Sequence, residues 1–230
     1  MQIEDRVIHF SAELIHPPLS LNRQHLQKLY YDLSQSRAAY DSIDISTPLQ
    51  AKFHSQRAKA QSIMIHLPER MLMIEEWADI PLSTFIEKLR VAVPLAMTTQ
   101  NIPNIMLHAL TVRSTFALTN FDDARVFLLD NACQLDNRIQ PYFQRPLATG
   151  GLRFIFPETN EHSGTLHVII ESFRHSVSEI FVEVKGIFGR QPVGPDNVDI
   201  IATNLQTTRR FITDHVFPFL QQFDEIRERD

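Results

Sequence analysis

Thr165–Phe188, TLHVIIESFRHSVSEIFVEVKGIF, decides how the chain is read. Leu166, Val168 and Ile170 point one way, and His167, Ile169, Glu171 and Phe173 the other. After Arg174, His175 and Ser176 the alternation resumes: Ile180, Val182 and Val184 share one face, and Phe181, Glu183 and Lys185 share the other. A period of two is the mark of a strand with one buried face, so the stretch reads as an antiparallel pair. Leu152, Phe154 and Phe156 add a third strand before it. The clean face makes one wall of a core. The mixed face, with Arg153, His167, Glu171, Glu183 and Lys185, is expected to be wet, as one side of an antiparallel sheet can be.

Upstream, Val7–Leu14 alternates as a strand, and His16, Pro17 and Pro18 end it. Ser20 is the expected cap of a helix running to about Ser36, with Leu26, Leu29, Tyr30 and Leu33 at the i, i+3, i+4, i+7 spacing of a buried stripe. Ser42–Ser46 reads as a short strand, and the polar, basic stretch Pro48–Gln61 as a loop. Ser62–Leu67 and Arg70–Trp77 form a hairpin. A helix follows from Pro81, striped by Leu82, Phe85, Ile86, Leu89 and Val93, with Pro94 expected to kink or end it. Past the connector around Pro103 come a strand (Ile105–Phe116), a helix from Thr119 or Asn120 to about Leu135, and a long loop (Asp136–Thr149). The three strands described above follow, then a Gly/Pro loop and a final helix from about Ala202 to Phe223.

Both halves therefore run strand, helix, long loop, strands, helix. Ile8-His9 and Leu107-His108 fall in step at a spacing of 99, as do Leu19-Ser20 and Leu118-Thr119. Val93-Pro94-Leu95 and Phe217-Pro218-Phe219 occupy the closing helices. The expectation is an internally duplicated α+β protein, residues 1–103 and 104–230, either as two repeats or joined into one continuous domain. Strands of both halves would form one curved antiparallel sheet of about eight strands with the helices on one face. The outline is similar to the saddle of TATA-binding proteins, a likeness of architecture that shares no motif.

The 230 residues are long enough for a substantial core, and 43% hydrophobic with 21% charged is ordinary for a globular chain. A net charge of −5 supplies no general attraction for a phosphate backbone. No apolar run reaches the roughly 20 residues of a membrane helix. The opening MQIEDRVIHF lacks the apolar stretch of a secretory signal, and the single Cys133 permits no internal disulfide. A cytoplasmic setting and no membrane association are the expectation. The first 149 residues contain no glycine, which excludes a glycine-rich phosphate loop there.

Among ten histidines, His162, His167 and His175 cluster around the hairpin, yet no His-x-x-x-His pair occurs on a helix. The reading is solvated or sheet-surface histidines, with no metal and no cofactor. Glu171 and Glu183 share a face at a separation suited to acid/base work, but Arg153 and Lys185 share it too, and cross-strand ion pairs account for all four. Cys133 reads as a small core residue. Basic residues at 52–59 and at Arg209-Arg210 lack interleaved aromatics. Sixteen phenylalanines against one tryptophan point to a dry interior, with Phe217 placed opposite the buried stripe of its helix.

The function this favours is a non-enzymatic protein-binding or assembly module of a cytoplasmic complex. It would hold a protein partner or a second copy through Arg153, His167, Glu171, Glu183, Lys185 and Phe217. The alternatives are an enzyme or small-ligand receptor with its pocket between sheet and helices, and a nucleic-acid-binding saddle.

Overall fold

In the computed structural model, which describes residues 5–135, 145 and 149–224, nine antiparallel strands form one open sheet with the helices on one face. The first half contributes β1 (Asp5–Ile15), α1 (Arg23–Ser34), β2 (Ser42–Thr47), β3 (Gln50–Arg57), β4 (Ala60–Leu67), β5 (Arg70–Glu76) and α2 (Leu82–Gln100). The second contributes β6 (Leu107–Ala117), α3 (Ala124–Val126, continued by a π-helical turn, Phe127–Ala132), β7 (Gly151–Phe156), β8 (Thr165–Ser172) and β9 (Glu179–Phe188). It closes with α4 (Asp199–Phe211), a π-helical turn (Ile212–Val216) and α5 (Phe217–Asp224). The sheet order is β2-β3-β4-β5-β1-β6-β9-β8-β7. The boundary at Pro103 falls in the connector between α2 and β6, and β1 pairs with β6, so one sheet runs through both segments.

The expected hairpin is present. Val168, Ile170, Ile180, Val182 and Val184 are all buried and face the helices. They join one core with Phe10, Ala12 and Leu14 of β1, Phe53 of β3, Met64, Met71 and Met73 of β4 and β5, and Leu110, Val112 and Phe116 of β6. Leu26, Leu29 and Leu33 of α1 and Phe85, Leu89 and Val93 of α2 close it from above. Phe10 stacks on Phe85, ring centroids 5.6 Å apart, which ties the central strand to α2.

Several elements depart from the sequence reading, each for a physical reason. The cap of α1 is Asn22, not Ser20; its side chain accepts from the backbone N–H groups of Gln24 and His25. Pro48–Gln61 is not a loop. It contains β3, in which Ala51, Phe53 and Ser55 point inward between Lys52, His54 and Gln56, an alternation masked by its low apolar content. Of the two outcomes expected at Pro94, a kink or an end, the end does not occur: α2 runs on to Gln100 with Pro94 inside it. The helix placed at Thr119–Leu135 is short; Asp123 caps it, and it loosens at once into a π turn. β9 extends through Gly186, where a Cβ would collide with Phe188 and Thr208, so glycine lets α4 lie close on the strand. The expected loop at 136–149 lies almost entirely outside the described residues, as do 225–230.

The spacing of 99 that aligned His9 with His108 is odd. An odd shift exchanges the two faces of a strand. His9 lies on the open face beside Glu76, whereas His108 lies under α4, its Nε2 2.8 Å from Asn204 Nδ2. Strand order is a statement of topology and carries no statement of descent.

Candidate functional site: the helix-free face

Five of the six residues singled out from sequence share the open face. The strand registers place them in rows running across the sheet. One row reads Arg153, Ile169, Glu183, Arg113, His9, Glu76 from β7 to β5. The next reads His167, Lys185, Thr111, Ser11, Ile74, Ile63. A third reads Ile187, Ala109, Glu13, Leu72, Ile65, Lys52. Glu171 sits one row beyond, opposite Phe181.

The centre of this face is an ion-pair ladder that sequence reasoning only half found. Glu183 accepts from Arg113 Nε at 2.6 Å, and Arg70 Nη1 donates to Glu13 at 2.8 Å. Lys185 lies 3.7 Å from the same Glu13 carboxylate. Arg153 was the expected partner of this group, but among the described residues it forms no ion pair and stands exposed on the edge strand. Arg113, Glu13 and Arg70 were missed because their partners come from strands far apart in the chain. His9 is buried between Glu76, whose carboxylate lies 2.6 Å from its Nδ1, and Arg113. Burial first, and the Arg113 charge second, hold the imidazole below its ordinary pKa against the opposing pull of Glu76. His9 therefore stays neutral near pH 7, and the three acids Glu13, Glu76 and Glu183 balance the three bases Arg70, Arg113 and Lys185.

Phe217 does not belong to this face. It is 4% exposed and stacks on Phe116 in the core, centroids 5.5 Å apart. The π turn at Ile212–Val216 admits one extra residue and rotates the rest of the helix. The buried stripe passes from the expected Phe219 and Phe223 to Phe217, Leu220 and Asp224. Asp224 is then held inside by the backbone N–H groups of Thr119 and Asn120, at 2.9 and 3.0 Å.

The part of the open face that the sequence did not flag is aliphatic. Ile63, Ile65 and Leu67 of β4 and Leu72 and Ile74 of β5 form a contiguous panel, half-buried by one another. None of them joins the core, which lies on the other side of the same strands against Met64, Met71 and Met73. The two strands are thus apolar on both faces. At one end of the open face Trp77, at φ 50°, meets His175 edge-on with centroids 5.5 Å apart, and His175 meets Phe173 in turn.

Between sheet and α2 lies a different kind of cluster. Lys88 Nζ donates to Glu75 Oε1 at 2.5 Å and to Ser62 Oγ at 2.6 Å, and Ser62 donates to the same Glu75 oxygen at 2.7 Å. The Lys88 ammonium also stands 5.3 Å from the centre of the Tyr40 ring. Burial, with Glu75 adding to it, drives the Tyr40 phenol above its ordinary range, so it remains a neutral hydroxyl. Lysine beside serine is a pairing used for nucleophilic catalysis, but here the ammonium donates to both the serine hydroxyl and the Glu75 carboxylate. The cluster locks α2 to β4 and β5.

The histidines were expected at the surface, and four are not: His9, His16, His66 and His108 are all buried. Burial, with the nearby His16 adding to it, lowers His66 to about 3, and burial alone lowers His108 to about 4. His162 and His175 are exposed and His167 is half-buried on the open face. No group of three or more metal-ligating side chains comes together among the described residues. Cys133 is half-buried at the end of the α3 π turn, its thiol raised by burial.

No protein-family model matches the chain, and no curated protein matches its sequence. Among the described residues no helix is long and apolar enough to cross a membrane.

Proposed function

We propose that the protein is a non-enzymatic binding module that holds another polypeptide against the helix-free face of its sheet. The observation that carries this reading is the double-sided apolar character of β4 and β5. Strands buried on both faces read as continuous apolar runs, whereas strands with one wet face alternate. Ile63–Leu67 (IMIHL) and Met71–Ile74 (MLMI) are of the first kind, yet among the described residues the helices cover one side alone. Apolar surface left outside a core marks a contact surface when it forms a patch.

The same face argues for a polypeptide over a nucleic acid. Arg70, Arg113 and Lys185 already stand beside Glu13 and Glu183, so a phosphate backbone would have to displace internal carboxylates to reach them. An enzyme or receptor reading needs polar groups with unused capacity in a cleft, and the Tyr40–Ser62–Glu75–Lys88 cluster satisfies itself.

The test is site-specific photo-crosslinking in the native host with a benzophenone side chain at position 74. A control position is Tyr31 on the exposed side of α1. The expected result is a covalent protein adduct from position 74, lost when Ile65→Glu is added, and none from position 31. Equal labelling from both positions, or none from position 74, contradicts the reading.

A further inference from the structure

We infer that the polypeptide seated on the β4–β5 panel is a second copy of this chain, packed sheet to sheet about a two-fold axis parallel to the strands. The inference rests on the binding role given to this face above and names its occupant.

The third row across the sheet motivates it. From β3 to β1 this row reads Lys52, Ile65, Leu72, Glu13: a cation, two aliphatics and an anion. Rotating such a row half a turn about an axis between β4 and β5 superposes it on its own complement. Ile65 of one copy meets Leu72 of the other, and Lys52 of each copy comes over Glu13 of the other. An isologous interface requires this kind of self-complementary patch. Lys52 forms no ion pair among the described residues. The Glu13 carboxylate, which takes Arg70 at 2.8 Å and Lys185 at 3.7 Å, has further acceptor sites. The panel has the usual anatomy of a contact surface, an apolar centre between polar flanks.

The size also fits. In this arrangement the strands from β2 to β6 in sheet order overlap, six in all. At about 4.8 Å per strand and about seven residues of about 3.3 Å each, one copy contributes roughly 650 Å², or about 1,300 Å² in total, within the range of about 1,200–2,000 Å² for stable complexes. Packed sheets sit about 10 Å apart, a gap that long side chains such as Lys52 and Glu13 can span.

The experiment is sedimentation equilibrium on the full chain, wild type beside Ile65→Glu, Lys52→Glu and Ile169→Glu. Expected are a concentration-dependent dimer for wild type and for Ile169→Glu, a monomer for Ile65→Glu, and a dissociation constant raised at least about tenfold for Lys52→Glu at low salt. Circular dichroism checks that each variant folds. If Ile65→Glu does not fold, a second measurement replaces it: in a Cys133→Ser background, Ile65→Cys and Leu72→Cys proteins are mixed with a short thiol crosslinker. The mixed pair should link far faster than either alone. A wild type that stays monomeric, or a dimer indifferent to both Ile65→Glu and Lys52→Glu, overturns the inference. A monomer that still yields a position-74 adduct with a different protein overturns only the second-copy assignment and leaves the binding role standing.

Discussion

The two halves offer the same positions on the open face and fill them differently. Ser11 of β1 pairs with Thr111 of β6 at the middle of the sheet. Two residues further along each strand are Glu13, opposite Leu72 of β5, and Arg113, opposite Glu183 of β9. Ile74 beside Ser11 corresponds in the same way to Lys185 beside Thr111, and Ile63 beyond it to His167. The first half thus presents Ile63, Leu72 and Ile74 where the second presents His167, Glu183 and Lys185. In the second half Glu183 is paired with Arg113, and Lys185 lies 3.7 Å from Glu13. The first half, among the described residues, leaves its aliphatics half-buried on this face. One continuous sheet thus carries a charged surface on one side and an aliphatic one on the other.

The sharpest break with this contrast lies on the covered side. Lys88 and Glu75 are an ion pair removed from water, so Lys88→Met takes away the cation beside Glu75 and leaves it only the Ser62 hydroxyl, with an expected loss of about 3 kcal/mol. The same substitution at Lys185 on the open face should cost under about 1 kcal/mol, since that pair is long and solvated. Urea unfolding of the two variants reads the difference; equal losses would mean that the open face is as closed as the covered one.

The buried histidines give the next largest effect. His66 and His108 have folded pKa values below the unfolded value of about 6.5, so the unfolded chain takes up protons first as the pH falls. Their stabilising contribution is complete above about pH 6.5. It is lost at about 1.4 kcal/mol per pH unit for each histidine, down to about pH 4 for His108 and about pH 3 for His66. Unfolding measured between pH 7 and 5 should show this slope, and His66→Gln should flatten it; an unchanged slope would mean that His66 takes up its proton equally in the folded and unfolded chain.

On the open face itself the effects are smaller and fall on association. Ile65→Glu should weaken binding at least about tenfold, about 1.4 kcal/mol, while Ile169→Glu at the corresponding second-half position leaves it unchanged. Arg153→Ala, an exposed residue without an ion pair among the described residues, should alter stability by less than about 0.5 kcal/mol. A large effect at Arg153 would shift the contact surface toward β7.

Strict alternation made the second half legible. Residues 165–188 carry their burial pattern in their spelling, and Val168, Val182 and Val184 are where that spelling puts them. α1 and α2 were legible from their stripes. β3 was not, because Lys52, His54 and Gln56 dilute two apolar residues into what looks like a basic loop. The phase of α5 was not, because nothing in the residues at 212–216 announces a π turn, and one added residue carried Phe217 inward. The aliphatic panel escaped for the opposite reason: its strands were recognised, but a strand apolar on both sides does not say which side the helices will take. The ion-pair ladder depends on β1 meeting β6 and β9, a pairing set by the whole sheet.

The central claim is that the β4–β5 panel is surface meant for contact and not a part of the core. It is tested most directly by Ile65→Thr, Leu72→Thr and Ile74→Thr combined, followed by urea unfolding and sedimentation on the same samples. Threonine keeps the strand shape and removes the oily surface. The expected result is an unfolding free energy within about 1 kcal/mol of the wild-type monomer, together with complete loss of association. A loss of several kcal/mol, of the size that core truncations produce, would contradict it.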